Sequence, residues 1–366
     1  MKAGSKITNV QVQVVEVPLK KQWQISLYKA NVRRHAIVRV STESGVVGYG
    51  EASPSPAFMG EGADGVATVI RTYLAPAVTG LEIFDVEKLH LAMDGAIAGN
   101  EAAKSAIDIA VHDAMGKLLD EPLYRLLGGN TKAGRVALSW VVSIQGDAEA
   151  IEEAKRYAAM GFRTIKLKIG KEPKRDVAIV EAVAKALGDG VAIRLDANQG
   201  YDVGTAVRVI REIEEKVPIE SVEQPVPRWN LEGLKVIRSK VATPIMVDEA
   251  IFGPQDALKV ITAGACDIVN IKIGKVGGIW PARKVAAIAG AAGVPCTVGS
   301  NLELSIGSAA ALHFAAATAA VKFPSDLLIG PFLHEHDVTE KSLSEWFSDG
   351  YGLVPEVPGL GVVPIV

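Results

Sequence analysis

The chain has 366 residues, a formal net charge of −3 at pH 7 and a pI near 6.1. It contains no Lys/Arg-rich run and no basic-aromatic cluster, which argues against nucleic acid as a partner. It also lacks the stretch of about 18 uncharged apolar residues that a membrane span needs. We therefore expect a cytoplasmic protein with no membrane partner, whose only two cysteines, Cys266 and Cys296, are reduced core thiols.

Alternating apolar and polar residues in the first part of the chain predict a small antiparallel sheet. Its predicted strands are Ile7 to Val17, His35 to Val40 and Gly45 to Glu51. Two segments without a clear period, 19–32 and 53–62, predict loops. Helical spacing follows at 64–78, 85–96 and 100–119. Together these elements predict an α+β domain over residues 1–130.

From about residue 135, apolar runs alternate with helical patterns. The predicted strands cover 136–143, 163–169, 191–196, 220–223, 244–248, 267–273 and 295–299. The predicted helices cover 147–159, 174–187, 203–215, 230–240, 254–263, 278–291 and 305–319. This repeat favours a closed TIM-like α/β barrel over 131–325. An open doubly wound sheet is the alternative, but the chain has no G-x-G-x-x-G motif after a first strand. The tail, 326–366, is expected to return over the first domain.

The second predicted barrel strand carries two lysines on one face. Strand side chains alternate, so Lys166 and Lys168 point the same way. If that face is enclosed, two ammonium groups are costly unless an anion, a metal site or a substrate lies beside them. The simpler alternative is an edge strand with a solvated lysine face.

Three carboxylates end three consecutive predicted strands. Asp196, Glu223 and Asp248 are 27 and then 25 residues apart, and reacting residues of such barrels lie at the carboxyl ends of the strands. A single carboxylate there is more often a helix N-cap or a salt-bridge partner. Three that meet repel one another unless a cation binds them, and all-oxygen ligands suit Mg²⁺ or Mn²⁺.

Lys272 ends the sixth strand, on the far side of this predicted metal site from Lys166 and Lys168. A lysine beside a divalent cation and a second lysine should have a lowered pKa, because its charged form is disfavoured. The neutral amine is then a base. Removing the proton α to a bound carboxylate creates an enediolate, and a cation stabilises its extra charge.

These features resemble the enolase superfamily, and within it the muconate lactonizing enzyme subgroup. The matching motifs are Lys166-x-Lys168, Asp196-Ala-Asn198, Val222-Glu223-Gln224-Pro225, Val247-Asp248-Glu249, Asn270-Ile271-Lys272-Ile273 with Gly277-Gly278, and Glu303-x-Ser305-Ile306-Gly307. The resemblance extends over nearly the whole chain. It implies an N-terminal α+β capping domain over a modified (β/α)7β barrel.

The resemblance also implies roles for single residues. It implies Mg²⁺ or Mn²⁺ on Asp196, Glu223 and Asp248. It implies that Lys168 and Lys272 are acid and base on opposite faces of the substrate, with Lys166 tuning Lys168. The residues with an implied supporting role are Asn198, Glu249 and Glu303. A homo-oligomer is implied as well, frequently an octamer in the cycloisomerases.

The subgroup shares one chemistry and divides by substrate. It contains muconate cycloisomerases, o-succinylbenzoate synthases, N-acylamino acid racemases and dipeptide epimerases. The segment from Ser325 to Leu333 resembles the cycloisomerases, whereas dipeptide epimerases carry an Asp-x-Asp motif there to bind an α-ammonium group. Our first hypothesis is therefore a muconate-cycloisomerase-type reaction on a small carboxylate. The second hypothesis is racemisation or epimerisation of N-substituted amino acids or dipeptides, and the third is a dehydration of the o-succinylbenzoate synthase type.

The two predicted capping loops are expected to meet the substrate. The residues expected to do so are Trp23, Tyr28, Phe58 and Met59. Their loops differ from the Thr/Gly-rich loop that is usual in cycloisomerases, which leaves the identity of the substrate open.

None of the six histidines lies at a predicted barrel strand end. His313 lies in an apolar helix and is expected to be structural, and His334 and His336 are expected in a solvated loop rather than at a metal. A non-catalytic binding protein on the same fold is a further alternative. The complete set of lysines and carboxylates argues against it, because unused buried charges are costly.

Overall fold

A computed structural model describes residues 4–129, 131–132 and 134–365. It contains an N-terminal antiparallel sheet with helices, a barrel of parallel strands, and a C-terminal tail. In these residues no helix is both long and apolar enough to cross a membrane.

The N-terminal sheet has the strand order β1-β2-β3. Its strands are β1 (Ile7–Gln24), β2 (Lys29–Thr42) and β3 (Val47–Ala52). The prediction of a loop over 19–32 is wrong, because β1 and β2 continue to a hairpin in which Gln24 pairs with Lys29. The pairing is irregular between Pro18 and Trp23, and this irregularity hides the alternation in the sequence.

Six helices accompany this sheet. They are α1 (Pro56–Met59), α2 (Ala63–Val69), α3 (Ala75–Val78), α4 (Val86–Ala96), α5 (Glu101–Leu119) and α6 (Leu123–Leu126), with a π-helical segment, Ile70–Leu74, between α2 and α3. Helix α5 lies so close to β3 that a Cβ on Gly50 would be 1.9 Å from the carbonyl oxygen of Ala106. Glycine in β3 therefore lets α5 sit buried between the sheet and the barrel.

Seven parallel strands form the barrel in chain order. They are β5 (Trp140–Val142), β6 (Thr164–Lys168), β7 (Ala192–Asp196), β8 (Ser221–Glu223), β9 (Ile245–Val247), β10 (Ile268–Ile271) and β11 (Cys296–Val298). The first predicted strand, 136–143, is divided. Its first half is β4 (Arg135–Ala137), which pairs with the tail instead of the barrel.

An extended segment, 320–326, closes the barrel in place of a regular eighth strand. Its Asp326 N–H donates to the carbonyl of Val298 at 2.9 Å, beside β11. On its other edge the Ser325 carbonyl accepts from the N–H of Ser139 at 3.0 Å, just before β5. This closure and the N-terminal sheet confirm the predicted (β/α)7β barrel with an α+β cap.

The barrel helices agree with the predicted ones within two residues at each end. They are α7 (Asp147–Ala159), α8 (Pro173–Leu187), α9 (Val203–Glu214), α10 (Leu231–Lys240), α11 (Pro254–Thr262), α13 (Ile279–Ala291) and α14 (Ser305–Ala317), with one unpredicted short helix, α12 (Ile273–Val276). Helix α12 begins right after Lys272, so the sixth strand is shorter than predicted.

The tail contains α15 (Ile329–Leu333), a 3₁₀ turn (Leu343–Trp346), β12 (Phe347–Ser348) and β13 (Tyr351–Leu353). It reaches the N-terminal helices, since the N–H of Leu360 donates to Oδ1 of Asp113 in α5 at 2.9 Å. His313 Nε2 lies 3.2 Å from the Leu360 carbonyl, in keeping with a structural role. The domain boundary near residue 130 stays a prediction.

A buried histidine pair joins this tail to the capping sheet. The prediction of a solvated loop is wrong for His334, which is buried, although His336 is exposed. Nδ1 of His334 donates to the Gly330 carbonyl at 2.8 Å, and its Nε2 lies 3.2 Å from Nε2 of His35. Nδ1 of His35 lies 2.9 Å from the Glu51 carboxyl group. Burial lowers the pKa of both imidazoles to about 3, so both are neutral near pH 7.

We expect acid to destabilise the fold through His334. Its pKa is lower in the folded chain than in the unfolded chain, so the unfolded chain binds one more proton between about pH 6.5 and 3. Stability is therefore present above this window and is lost as the pH falls, by about 1.4 kcal/mol per pH unit for this group. Urea unfolding at several pH values should show a shallower dependence of the free energy of unfolding on pH for His334→Gln than for the parent. Equal slopes in the parent and His334→Gln would contradict the prediction.

Candidate active site

The carboxyl ends of the barrel strands bring the predicted charged residues into one buried cluster. In the pairing of β6 with β7, Lys168 stands opposite Asp196, and in that of β7 with β8, Asp196 stands opposite Glu223. Asp248 directly follows β9, the next strand in the barrel. All three carboxylates are fully buried. The register of a parallel sheet thus places side chains more than 20 residues apart in sequence at one level.

Lys166 lies at the centre of this cluster. Its Nζ is 2.9 Å from Oε2 of Glu223 and 3.7 Å from Oδ2 of Asp196, and it also donates to Oδ2 of Asp326. Lys166 is 2% exposed, which excludes the solvated-face alternative. Its ammonium group is surrounded by carboxylates from β7, from β8 and from the segment that closes the barrel.

Lys168 lies beside it, nearer to the barrel mouth. Its Nζ donates to Oδ2 of Asp196 at 2.5 Å and to Oδ1 of Asn198 at 2.9 Å. Nδ2 of Asn198 in turn donates to Oε1 of Glu249 at 3.1 Å. Asn198 has a φ of 40°, in the left-handed region that asparagine tolerates better than most residues. That turn directs its amide between the lysine and Glu249.

Lys272 approaches from the opposite side of the three carboxylates. Its Nζ lies 2.6 Å from Oδ2 of Asp248, in an ion pair that does not meet hydrogen-bond geometry. The same ammonium group is 4.4 Å from the centre of the Phe58 ring, a cation–π distance. Lys275, one turn further along, donates to Oδ1 of Asp248 at 2.7 Å and to the Asp248 backbone carbonyl. Asp248 is thus held by two lysines.

The pKa values of the buried carboxyl groups are shifted in different directions. Burial and the neighbouring Asp196 raise the pKa of Glu223. Burial, Asp248 and Asp196 raise the pKa of Glu249 to about 8. Burial opposes ionisation of Asp248 as well, but Lys272 and Lys275 outweigh it and lower its pKa. Asp248 therefore carries a fixed negative charge.

The predicted lowering of the lysine pKa depends on a bound cation and stays a prediction, while the protein's own charges shift the pKa values of these lysines in different directions. Burial lowers the pKa of Lys272, but the charges of Asp248, Glu223 and Glu249 more than offset it, so its pKa is raised. The pKa of Lys166 is raised for the same reason, by carboxylates that outweigh its burial. Lys275 is the exception, because burial outweighs Asp248 and its pKa is lowered. Among the protein's own groups, the neighbouring carboxylates therefore dominate the pKa of Lys166 and Lys272.

The donor chemistry of the cluster fits a hard divalent cation. Oδ2 of Asp248 and Oε2 of Glu249 are buried oxygens that accept no hydrogen bond in the described chain. Such oxygens are the ligands that Mg²⁺ and Mn²⁺ prefer. No three Asp, Glu, His or Cys side chains of residues 4–129, 131–132 and 134–365 stand at metal-ligand spacing. The carboxylates of Glu223 and Asp196 instead contact Nζ of Lys166, at 2.9 and 3.7 Å.

Several residues of this cluster escaped the sequence analysis as site residues. They are Ser139, Arg194, Asn270, Lys275 and Asp326. Nδ2 of Asn270 donates to Oε1 of Glu223 at 2.7 Å, and its position two residues before Lys272 on β10 was the available signal. Asp326 is separated from β11 in the chain by helix α14, so its position in the cluster follows only from the closure of the barrel.

The capping residues lie at different distances from this cluster. Phe58, in α1, contacts Lys272 as described, and Sδ of Met59 is 3.7 Å from Nδ2 of Asn301. Met59 also lines a cavity of about 640 Å³ that reaches Glu249. Trp23 is buried at the end of β1, and Tyr28 is half-buried in the following turn. Of these four, only Phe58 has a described contact with a predicted catalytic lysine.

Two family models match the chain. The model described as enolase C-terminal domain-like matches residues 149–365. The model described as the N-terminal domain of mandelate racemase / muconate lactonizing enzyme matches residues 7–128. The chain belongs to the enolase superfamily. It is an isomerase of that superfamily, and its chemistry is abstraction of a proton α to a carboxylate.

Relatives with different substrates are similar to this superfamily member over almost its whole length. An L-Ala-D/L-Glu epimerase of Clostridium acetobutylicum is 35% identical over 97% of this chain and 98% of its own. A dipeptide epimerase of Enterococcus faecalis, solved with Mg and L-Leu-L-Tyr, has a TM-score of 0.93 at 37% identity, covering 98% and 99%. A muconate lactonizing enzyme of Pseudomonas fluorescens, solved with muconolactone, has a TM-score of 0.95 at 31% identity, covering 99% and 97%. The fold alone therefore does not separate these reactions.

We expect Asp326→Asn to destabilise the protein strongly. The substitution removes a carboxylate from Lys166 and from Arg194, whose Nη1 lies 3.8 Å from Oδ1 of Asp326. Breaking a buried ion pair on one side should lower the free energy of unfolding by about 3 kcal/mol or more. Glu87→Gln breaks an exposed pair with Lys284 and should cost less than about 1 kcal/mol. Chemical denaturation measures both, and equal losses would contradict the prediction.

Proposed function

We propose that this enolase-superfamily member racemises or epimerises an amino acid derivative whose nitrogen is acylated and whose side chain is apolar. The observation that carries the proposal is the pair of lysines on opposite sides of the three carboxylates. Lys168 reaches Asp196 from β6, and Lys272 reaches Asp248 from the end of β10. Inversion at a carbon needs one group to take a proton from one face and another to deliver a proton to the other face.

We propose that Asp196, Glu223 and Asp248 hold a divalent cation for this reaction. The all-oxygen set supports it, and so does the buried Oδ2 of Asp248, which accepts no hydrogen bond and has an ion pair with Lys272 as its charged contact. The cation, when bound, supplies stabilisation for the negative charge that develops on the substrate carboxylate. Carboxylates that neutralise a bound cation would no longer favour the charged form of Lys272, so a neutral lysine, Lys168 or Lys272, would take the α-proton and the opposite lysine would return one. Asn198 and Glu249 orient Lys168 through their hydrogen bonds.

The environment of Asp326 supports an acylated rather than a free amino group. Dipeptide epimerases of the subgroup carry an Asp-x-Asp motif in this segment for an α-ammonium group. Here Asp326 is ion-paired with Lys166, and the next residues, Leu327 and Leu328, are buried and apolar. A substrate ammonium group would meet no free carboxylate among these residues. The apolar capping side chains of Phe58 and Met59 favour an apolar substrate side chain.

A second candidate is the muconate-cycloisomerase-type reaction that the sequence analysis placed first. The observation that favours it is the same segment, in which Asp326 is ion-paired and Leu327 and Leu328 are buried and apolar, and which suits a substrate without an ammonium group. The two reactions differ in the lysines they use. Lactonisation requires proton transfer at one face only, so it leaves one of the two opposed lysines without a chemical role. The epimerase relatives and the two-sided lysine arrangement support our proposal of racemisation over this second candidate. The cytoplasmic location and the homo-oligomer inferred from the sequence stay predictions.

We expect Mg²⁺ to bind with a stoichiometry of one, as measured by calorimetry. Asp248→Asn should weaken binding at least about 100-fold, because loss of even outer partners of a metal site costs 10- to 100-fold. Asp120→Asn, an exposed acid at the end of α5, should bind as the parent does. Equal affinities in parent and Asp248→Asn would remove the proposed site.

The reaction itself is tested by α-deuterium exchange in D₂O. A library of N-acetyl and N-succinyl amino acids and of dipeptides is incubated with enzyme and Mg²⁺, then read by mass spectrometry and chiral chromatography. We expect exchange and loss of optical purity for acylated apolar amino acids, with slower turnover of dipeptides. Ultraviolet loss of cis,cis-muconate without exchange in the library would establish the second candidate instead.

Lysine variants separate the two candidates at the level of single residues. Lys168→Ala and Lys272→Ala should each abolish racemisation, with losses on the order of 10² to 10⁴ in kcat, and each should still exchange one enantiomer. Lys171→Ala, an exposed lysine just past β6, is the control and should be unaffected. Full product formation by Lys272→Ala would contradict a two-base reaction.

A further inference from the structure

A nearly buried arginine joins the capping sheet to the barrel. Arg33, on β2, is 6% exposed. Its Nη2 donates to Oγ of Ser53 at 3.2 Å and to the carbonyls of Pro54 at 3.0 Å and Asn301 at 3.1 Å. Its Nε has no hydrogen-bond partner, and no carboxylate of the described residues lies within 4.0 Å of its guanidinium. Burial of an unpaired charge is costly, so these carbonyl contacts need an explanation.

Ser53 completes the same junction. Its Oγ donates to the Asn301 carbonyl at 2.8 Å and approaches the Leu302 carbonyl at 3.3 Å. Leu302 has a φ of 61°, in the left-handed region that a leucine adopts only under constraint. The capping loop therefore forms hydrogen bonds to the loop after β11 at Leu302, where the backbone of that barrel loop is strained.

The capping sheet also forms hydrogen bonds to the residues that follow Glu303 in that barrel loop. Both oxygens of Glu51, at the end of β3, accept backbone N–H groups, from Leu304 at 2.7 Å and from Gly307 at 2.8 Å. Together with Arg33 and Ser53, the sheet thus holds the residues immediately before and after Glu303.

This barrel loop lies against Lys272, one of the two lysines proposed to transfer protons. Oε2 of Glu303 accepts from Oγ of Ser300 at 2.5 Å and from the N–H of Asn301 at 2.8 Å. A Cβ on Gly299 would lie 2.9 Å from Cε of Lys272, so the start of the loop touches that side chain. On the capping side, the chain runs from Ser53 into α1, where Phe58 covers the Lys272 ammonium group.

We propose that Arg33 is a positioning residue that locks the capping loop at Ser53 and Pro54 onto the barrel loop at Asn301, and so fixes Phe58 and the start of the barrel loop at Gly299 against Lys272. This role rests on the proposed function only in naming Lys272 as a reacting group. The buried charge is explained because one guanidinium nitrogen, Nη2, binds carbonyls from both loops, at Pro54 and at Asn301. The strain at Leu302 is explained because the lock holds that backbone in place.

The lock is tested by amide hydrogen exchange and by kinetics on three variants. Arg33→Met removes the donors and keeps an apolar side chain, Arg33→Lys keeps the charge, and Arg34→Met is the control on an exposed arginine paired with Asp64. For Arg33→Met we expect exchange in peptides covering 51–59 and 299–307 to rise about tenfold, because hydrogen bonds between the loops are lost, while peptides of β7 and β8 exchange as before. Arg33→Lys should recover part of the protection, and Arg34→Met should match the parent.

Kinetics supply the second readout. Misplacement of a group by about 1 Å can cost on the order of 10²-fold in rate, so Arg33→Met should lower kcat far more than it changes KM. Unchanged exchange in both peptides would overturn the lock, and so would a uniform rise that includes β7 and β8. Hydrogen exchange needs no substrate, so it tests the lock independently of the proposed function. If the parent enzyme is inactive on every amino acid derivative, the proposed function is refuted. The lock is still supported if Arg33→Met raises exchange only in the peptides covering 51–59 and 299–307.

Discussion

The structure depends on the balance of buried charge at the mouth of the barrel. Three carboxylates from β7, β8 and β9 are placed at one level by the parallel register, and lysines enter from β6 on one side and from the end of β10 on the other. Burial of the carboxylates without the lysines, or of the lysines without the carboxylates, would be strongly unfavourable, because an isolated charge loses its hydration. The same opposition places two ammonium groups on opposite sides of one centre, which is the arrangement that two-sided proton transfer requires.

The cap is needed because a barrel mouth alone is open to water. Contacts between the two parts are concentrated where the chemistry is: Phe58 over Lys272, Ser26 Oγ on the Asn198 carbonyl at 2.7 Å, and Arg33 on the Asn301 carbonyl. Each contact joins a capping segment to a loop that carries a site residue. Exclusion of water strengthens every charge interaction inside the site, so closure and catalysis are linked physically.

Relatives with different substrates share this fold. Epimerases and a muconate lactonizing enzyme have nearly the same fold as this chain, at TM-scores of 0.93 and 0.95. The proposed choice of substrate therefore rests on particular side chains and not on the fold. In this chain Asp326 is ion-paired with Lys166, and that pairing supports the proposed acylated substrate.

The sequence by itself determined the barrel and most of the centre. Strand-helix alternation placed the barrel helices within two residues, and strand-end positions identified Lys166, Asp196 and Glu223, because a parallel barrel brings successive strand ends together. Only the tertiary structure decided which groups surround them. The hairpin over 19–32, the burial of His334 and the ion pair of Asp326 depend on contacts between segments far apart in the chain. The direction of the Lys272 pKa shift was also decided there, because it follows from the number of carboxylates around the ammonium group, and local periodicity does not contain that number.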